Sequence, residues 1–251
     1  GAQGERMSET WIILGATSAM ARAFAQAEAE VGSGLILCGR RLDDIEATTA
    51  DCRARGAEMA EVMAIDMRDP TTFGPILERA KGLVGAVNVA IFTGSMPEQS
   101  AIDADPSLIE GVIIDSHTGP ARFLTEIAPQ LEARGCGAVM GITSVAGDRG
   151  RIGNYVYGSA KAGFATYLSG YRNRMGRSGV HVLTVKPGPV DTAMTWGGPK
   201  MPFMSTPEAV VADMRAALRK RRNILYTAKI WGLIMLVIRM IPEPIFKKMN
   251  F

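Results

Sequence analysis

This chain of 251 residues has few cysteines and only a small net charge. Its three cysteines, Cys38, Cys52 and Cys136, form no C-x-x-C pair and lie at no Cys/His metal-ligand spacing. An odd count without such spacing argues against a disulfide framework and a zinc site, and it favours a reducing cytoplasm. The net charge of +3 is too small to indicate a nucleic-acid partner. We therefore predict a cytoplasmic protein without a metal ion or a nucleic-acid partner.

Repeats and low-complexity linkers are also missing. The composition, 47% hydrophobic and 21% charged, is ordinary for a globular protein, and the length suits one α/β domain. The residues before Met7 are expected to be a remnant of cloning, within a lead that covers residues 1–10. The main domain is predicted over residues 11–227 and a separate tail over residues 228–251, because the composition changes after Arg222.

Short apolar segments alternate with helical stretches along the main domain. This alternation predicts β-α-β units in an α/β fold, with a doubly wound parallel sheet covered by helices on both faces. Six strands are predicted, at residues 11–14, 35–38, 62–65, 87–92, 138–143 and 180–185. Helices are predicted at residues 17–30, 42–53, 71–81, 106–134 and 155–174. Pro120 and Pro129 are expected to mark breaks or helix starts.

Tyr157 and Lys161 are four residues apart in a predicted helix, so their side chains lie on one face. A free tyrosine has a pKa of about 10 and is a poor acid–base catalyst at neutral pH. A lysine one turn away is expected to lower the Tyr157 pKa, so that the phenol can exchange a proton with a carbonyl or alcohol oxygen. Ser144 could polarise the same oxygen. Because Y-x-x-x-K also arises by chance, the neighbouring motifs decide whether this pair is catalytic.

The turn after the first predicted strand suits a phosphate. In doubly wound folds this turn binds a pyrophosphate through backbone amides at the start of the following helix. A plain strand-to-helix turn is the alternative, because Ala19 and Ala21 replace the usual second and third glycines. The candidate contacts are Gly15, Thr17, Ser18, Ala19 and Met20.

The second predicted strand ends at Arg40 and Arg41 rather than at a carboxylate. NAD sites place Asp or Glu on the ribose 2′-hydroxyl about 20 residues after the glycine turn. A guanidinium instead matches a 2′-phosphate, so we predict NADP(H), with Arg40 as the main contact and Arg41 as a helper. Asp66, after the third strand, is placed to contact the adenine. Solvated arginines and an exposed helix cap at Asp66 are the alternatives.

The glycine turn, Ser144, the Tyr157/Lys161 pair and a Pro-Gly segment after the sixth strand follow one another in this order. With this order and spacing the chain resembles the short-chain dehydrogenase/reductase family over about residues 12–195. The resemblance implies an NADP(H)-dependent oxidoreductase with a Rossmann-type catalytic domain, usually a homodimer or homotetramer. It makes Ser144, Tyr157 and Lys161 catalytic and places Tyr157 and Lys161 at the cofactor. The segment that closes over the nicotinamide contributes Pro187, Gly188, Val190 and Thr192.

The chain departs from the family pattern at two places. Thr93 and Gly94 stand after the fourth strand, where the family has Asn-Asn-Ala-Gly, and we expect them to contact the cofactor. Ser116 replaces the asparagine that holds a water in the proton relay of many members. A serine could hold that water less rigidly. We expect His117 to be a buried or capping residue rather than a proton donor.

The second half of the chain is similar to decaprenylphosphoryl-2-keto-erythropentose reductases. The similarity rests on SVAGDR at 144–149, YVYGSAKAG at 155–163 and IRMIPEPIFKK at 238–248. It implies a polyprenyl-phosphoryl keto-pentose as substrate and a flavin oxidase as partner in a two-step epimerisation. Arg149 and Arg151 are candidate contacts for the substrate phosphate, with a solvated loop as the alternative.

The tail contains nine consecutive uncharged residues, 230–238, between Lys229 and Arg239. A bilayer span needs about 20 such residues, so this segment is too short to cross. Cations at 219–222 and 247–248 suit a lipid interface, and we expect contact with the inner face of the membrane. Packing of the tail on the core or on a neighbouring subunit is the alternative.

Two rival functions stay open at this point. The first keeps the chemistry and changes the substrate to an acyl thioester, a steroid, or another lipid or small ketone or alcohol. The second is a non-catalytic dinucleotide-binding regulator or accessory subunit. Ser116 favours the second, whereas the intact Ser144, Tyr157 and Lys161 argue against it.

Overall fold

The computed structural model describes residues 8–192 and 201–251. The expected cloning remnant before Met7 and residues 193–195 of the family resemblance lie outside this part of the chain. The described strands are β1 (Glu9–Leu14), β2 (Gly34–Gly39), β3 (Ala60–Ala64), β4 (Ala86–Ile91), β5 (Ala138–Ile142), β6 (His181–Pro187) and β7 (Ile224–Thr227). The helices are α1 (Ala19–Glu30), α2 (Leu42–Arg55), α3 (Phe73–Lys81), α4 (Gln99–Ala104), α5 (Leu108–Ile113), α6 (Gly119–Arg134), α7 (Tyr155–Gly176), α8 (Pro207–Arg219), α9 (Ile230–Met240) and α10 (Glu243–Phe246).

The strands form one parallel sheet in the order β3-β2-β1-β4-β5-β6-β7. Ile12 and Ile13 are neighbours in β1 and both fully buried, but they belong to separate cores on opposite faces of the sheet. Phe123 of α6 lies in one core and Phe24 of α1 in the other. Both faces are therefore covered by helices, and the predicted doubly wound parallel sheet is confirmed.

The strand order reverses between β1 and β4, and such a switch point is where open α/β sheets bind ligands. Gly15 follows β1 here with a φ of +79°. A Cβ atom at Gly15 would lie 2.8 Å from the backbone of Phe92 and Thr93, just after β4. Only glycine permits this conformation and this close approach, so the two strand ends meet at the predicted cofactor turn.

Three features differ from the sequence expectations. The described chain has a seventh strand, β7, which pairs with β6 and was not predicted. The predicted helix at 106–134 is divided into α5, a π turn at Ile114–Thr118 and α6. Pro120 lies in the first turn of α6, where a missing N–H costs little, but the break expected at Pro129 is wrong. Ala128, which precedes Pro129, is fully buried, so packing on the core keeps α6 continuous past the proline.

Among the described residues, no helix is both long enough and apolar enough to cross a membrane.

Candidate active site

Ser144 and Tyr157 are brought together by a tight contact between a turn and a helix. Ser144 follows β5 and caps the 3-10 turn Val145–Gly147, where its Oγ accepts a hydrogen bond from the Ala146 N–H at 3.1 Å. This turn packs directly on α7, because a Cβ atom at Gly158 would lie only 2.6 Å from the Ala146 carbonyl oxygen. Glycine at 158 therefore lets the serine turn approach the helix beside Tyr157.

Burial raises the pKa of Tyr157 above its ordinary value, and a side-chain hydrogen bond with Ser144 offsets only part of this rise. The Lys161 ammonium nitrogen lies 5.8 Å from the centre of the Tyr157 ring. It donates instead to the carbonyl oxygens of Ile142, at 3.1 Å, and Thr93, at 3.5 Å. The expectation that Lys161 lowers the Tyr157 pKa is therefore wrong in this structure, since the cation is directed at backbone oxygens.

Lys161 is itself only 4% exposed, and burial lowers its pKa to about 8. Its hydrogen-bond partners in the described part of the chain are carbonyl oxygens rather than a carboxylate, so no full negative charge there compensates the desolvation of the ammonium. The lysine can therefore gain or lose a proton close to neutral pH, which suits a group beside a proton donor.

The buried Lys161 predicts a specific pH dependence of stability. The unfolded chain holds the lysine proton up to its ordinary pKa of 10.5, whereas the folded chain releases it above about 8. The unfolded state then binds more protons between these values, so stability rises with pH there, by at most about 1.4 kcal/mol per pH unit. The free energy of unfolding in urea, compared between wild type and Lys161→Met from pH 7 to 9.5, should show the wild type gaining above pH 8.

The matched control is Lys81→Met, because the side chain of Lys81 is 58% exposed. Its difference from wild type should not change with pH over the same range. Parallel pH curves for wild type and Lys161→Met would show that the Lys161 pKa is not lowered.

Ser116 lies in the π turn and is fully buried. Its Oγ accepts a hydrogen bond from the Ser95 N–H at 3.3 Å. A Cβ atom at Gly94 would lie 3.2 Å from both the Ser116 Oγ and the Lys161 Nζ, so Gly94 fills the space between them. The structure thus brings these three predicted residues together, and π turns of this kind are common at functional sites. The place of Ser116 in a proton relay stays a prediction.

An ion pair that the sequence did not reveal fixes the π turn. The Arg68 guanidinium binds both carboxylate oxygens of Asp115, at 3.0 and 2.7 Å, and the Ser95 hydroxyl donates to the same carboxylate at 2.8 Å. His117 packs on α7, because a Cβ at Gly163 would lie 2.6 Å from its ring. Burial lowers the pKa of His117, which fits the expected packing role.

The predicted phosphate turn has the features that an anionic ligand needs. Ser18 caps α1 by accepting a hydrogen bond from the Ala21 N–H at 3.0 Å, and the first turn carries no acidic residue. Ala19 and Met20 begin the helix there and are partly exposed. The Thr93 hydroxyl, after β4, is buried and has no hydrogen-bond partner in the described protein. A buried hydroxyl without a partner, next to the amino-terminal end of a helix, fits a dinucleotide.

The residues predicted to select the cofactor lie at the ends of β2 and β3. Arg40 is exposed and makes no ion pair within the described part of the chain, whereas Arg41 pairs with Asp44 at 3.4 Å. The Asp66 carboxylate accepts a hydrogen bond from the Arg68 N–H at 2.9 Å, so it caps a local turn. Contacts of Arg40, Arg41 and Asp66 with a cofactor stay predictions.

A family model described as short chain dehydrogenase matches residues 9–201, which include the glycine turn, Ser144, Tyr157 and Lys161. The chain belongs to this family. It is an oxidoreductase, and the sequence resemblance at family level is confirmed.

This short-chain dehydrogenase has named relatives and structural neighbours. It is 28% identical to an uncharacterized oxidoreductase of Mycobacterium tuberculosis over 221 aligned residues. The alignment covers 87% of this chain and 88% of the relative. It is 27% identical over 220 residues to the ketoacyl reductase HetN of Nostoc, covering 85% and 76%. The structure of a short-chain dehydrogenase from Sphingobium yanoikuyae in complex with NADPH shares the fold, with a TM-score of 0.79 at 21% identity over 94% and 97% of the chains.

The segment after β6, predicted to close over the nicotinamide, contacts α9 and β7. The Gly188 N–H donates to the Thr227 carbonyl oxygen at 3.0 Å, and a Cβ at Gly188 would collide with the Trp231 indole. Val190 pairs with Ser205 through an isolated parallel bridge. The tail of the dehydrogenase therefore packs against the segment that includes Pro187, Gly188, Val190 and Thr192.

The structure assigns Arg149 to the tail rather than to a substrate. Its Nη1 donates to the carbonyl oxygens of Ile238 and Ile241, both at 2.7 Å, and its Nη2 pairs with Glu243 at 2.8 Å. The guanidinium also lies 3.6 Å above the Phe246 ring. Because these contacts engage both terminal nitrogens of the Arg149 guanidinium, the expectation that Arg149 binds a substrate phosphate is corrected. Arg149 anchors α9 and α10 to the loop after Ser144.

Arg151 differs from Arg149 in its surroundings. Its Nε is buried and has no hydrogen-bond partner in the described protein, and burial lowers its pKa. The Asn154 Oδ1, just before α7, is likewise buried without a partner. The guanidinium lies 5.8 Å from the ring of Phe251. Of the two predicted phosphate contacts, only Arg151 keeps unsatisfied hydrogen-bonding capacity.

Asp148 supports the loop after Ser144, a role that sequence reasoning missed. One carboxylate oxygen accepts from the Lys186 ammonium at 2.7 Å and the other from the Tyr226 hydroxyl at 2.5 Å. These contacts tie the loop after Ser144 to β6 and β7. Burial, together with the Asp148 carboxylate, raises the pKa of Tyr226 to about 12. The partners lie 38 and 78 residues away, so no local pattern predicts them.

Proposed function

We propose that this short-chain dehydrogenase uses NADPH to reduce a keto group, and that its substrate is a polyprenyl-phosphoryl keto-pentose or a close relative. The observation that carries the reaction type is the meeting of Ser144, Tyr157 and Lys161 at the carboxyl edge of the sheet. They lie beside the turn at Gly15, and the start of α1 after that turn, which carries no acidic residue, suits a pyrophosphate.

The side chains divide the work on the carbonyl group. NADPH, when bound, supplies hydride to the carbonyl carbon. Tyr157 gives its phenolic proton to the oxygen as hydride arrives; burial raises the pKa of Tyr157, but the developing alkoxide is a stronger base than the phenolate, so the proton still moves to the substrate. The Ser144 Oγ accepts from the Ala146 N–H and is hydrogen-bonded with Tyr157, so the serine hydroxyl would meet the carbonyl oxygen beside the phenol. Lys161 would bind the nicotinamide ribose.

Two observations support the lipid-linked substrate. The narrower sequence resemblance includes the catalytic loop and the tail, and the tail packs on both the Ser144 turn and Gly188. Arg151 adds a buried guanidinium nitrogen without a partner, between Ser144 and Tyr157, which suits a substrate phosphate. The relative named ketoacyl reductase favours keto reduction too, with an acyl substrate as the rival.

Substrate identity is tested by transfer of label. The purified protein is incubated with a membrane lipid extract and NADPH that carries deuterium on the reactive carbon, and the labelled lipid is identified by mass spectrometry. We expect the label in a polyprenyl-phosphoryl pentose. Label in an acyl thioester or a steroid would support the first rival, and no transfer to any lipid, ketone or thioester would support the non-catalytic one.

The exposed Arg40 predicts a preference for NADPH over NADH. A guanidinium that binds a 2′-phosphate contributes charge-assisted hydrogen bonds of about 1.5–3 kcal/mol, which corresponds to at least about a tenfold difference in Kd. Arg40→Ala should therefore weaken NADPH binding at least about tenfold and leave NADH nearly unchanged, measured by fluorescence titration.

Arg41→Ala is the control, since Arg41 already pairs with Asp44, and it should have the smaller effect. A wild-type preference for NADH, or an equal loss of both cofactors in Arg40→Ala, would rule out Arg40 as the selective contact.

We also propose the assembly and location in which the reaction occurs. The enzyme would act in the cytoplasm as a homodimer or homotetramer, at the inner face of the membrane, on a keto sugar supplied by a flavin oxidase. The order of the two steps follows from the chemistry: oxidation of an alcohol must precede reduction of the ketone from the other side.

A further inference from the structure

Helix α9 is apolar on two opposite sides, although only one of them faces the protein. Trp231 and Met235 are buried in a cluster with Val145, beside the catalytic turn. The opposite side is exposed to solvent. Its residues are Ile230, Leu233, Leu236, Val237 and Met240, which are 38%, 59%, 46%, 56% and 73% exposed.

The spacing of these five residues places them on one face. Positions 230, 233, 237 and 240 follow the i, i+3, i+7 and i+10 pattern, and 236 adjoins them, so the stripe covers about 120° of the helix. A helix that is apolar all round is normally buried all round. The outer face of α9 is therefore an apolar surface that needs a partner.

The sequence around this helix is basic. The chain from residue 228 onward carries four cations, Lys229, Arg239, Lys247 and Lys248, and one acidic residue, Glu243. Glu243 is already paired with Arg149 at 2.8 Å, so it does not offset the four cations. An apolar face with a basic margin is the pattern of helices that lie in a lipid interface.

We propose that the outer face of α9 docks on an anionic lipid surface. A second copy fits less well, because a two-fold interface would place this positive margin against itself. Anionic lipid supplies apolar and negative groups together. Trp231, on the inner face, packs on Gly188, so the docked helix would hold the segment after β6 next to the lipid. This proposal is independent of the substrate proposed above.

Co-sedimentation of the full chain with vesicles tests the docking. We expect binding to phosphatidylcholine vesicles that contain phosphatidylglycerol, weaker binding to phosphatidylcholine alone, and partial release by salt. Val237→Glu should lower the affinity at least about tenfold, because a charge replaces an apolar side chain in the interface. The matched control is Val84→Glu, since Val84 is 80% exposed on the turn before β4. It should bind like wild type.

Native mass and thermal unfolding of each variant complete the test. Equal vesicle binding by Val237→Glu and Val84→Glu would overturn the proposal. The proposal would also be overturned if the wild type did not bind vesicles and Val237→Glu dissociated an oligomer, because the partner of this face would then be a second copy. No cofactor or ketone is present in this assay, so its result does not depend on the proposed reaction. Vesicle binding by a protein that transfers no deuterium to any lipid in the labelling experiment would refute only the proposed substrate.

Discussion

Replacing Tyr157 with phenylalanine should lower turnover by at least two orders of magnitude. Phenylalanine keeps the ring and its packing but removes the proton that the carbonyl oxygen needs as hydride arrives, and general acids contribute about 10²–10⁴-fold. NADPH binding should change little, because the dinucleotide turn at Gly15 lies on another element. Steady-state kcat with a ketone substrate and a fluorescence titration with NADPH measure the two quantities separately.

Tyr155→Phe is the matched control, two residues away on the same helix. Its hydroxyl donates to Asp103 and its side chain is 46% exposed, so it should keep near wild-type turnover. Wild-type turnover in Tyr157→Phe would remove Tyr157 from the proton transfer. A loss of NADPH binding equal to the loss of turnover would make Tyr157 a cofactor contact only.

The fold was predictable because local patterns dictate it. The six predicted strands contain short apolar runs, which the sheet buries on both faces in all but the edge strand β3, and each is followed by a helical stretch. The seventh strand, β7, escaped prediction because it has four residues and Ile224, at its start, is 50% exposed. Only its pairing with β6 makes it a strand. Edge strands of this kind depend on tertiary contacts that a local pattern does not contain.

From spacing alone, the site was predictable only where its residues share an element; the meeting of Ser144 with Tyr157 was expected from the family resemblance. Tyr157 and Lys161 are neighbours because a helix fixes positions four apart. The direction of the Tyr157 pKa shift is set instead by burial, and Lys161 donates to the carbonyl oxygens of Ile142 and Thr93, which come from two other strand ends. Sequence spacing sets which side chains can meet, whereas burial and long-range partners set their charge.

Arg149 shows the same limit, since its partners lie 89 to 94 residues further along the chain. Arg149→Ala should lower the free energy of unfolding by about 2–4 kcal/mol. The substitution removes three charge-assisted hydrogen bonds and a cation–π contact from a side chain that is only 16% exposed. Denaturant unfolding measures the loss, and limited proteolysis after residue 228 should show that the tail is released.

Two variants separate anchoring of the tail from other roles. Arg149→Lys keeps the charge but not the planar fork, so it should restore only part of the stability. Arg122→Ala breaks a helix-surface pair with Glu126, in which the Arg122 side chain is 59% exposed, and it should cost less than about 0.5 kcal/mol.

Turnover should fall together with stability in Arg149→Ala. Trp231 and Met235 of the released tail pack against Val145, the residue after Ser144, so the catalytic turn loses its support from that side. If Arg149 instead bound the substrate phosphate, the unfolding free energy would stay at the wild-type value and KM would rise only for phosphorylated substrates. The two roles predict opposite results in a measurement without substrate, because an anchor acts on the folded chain itself.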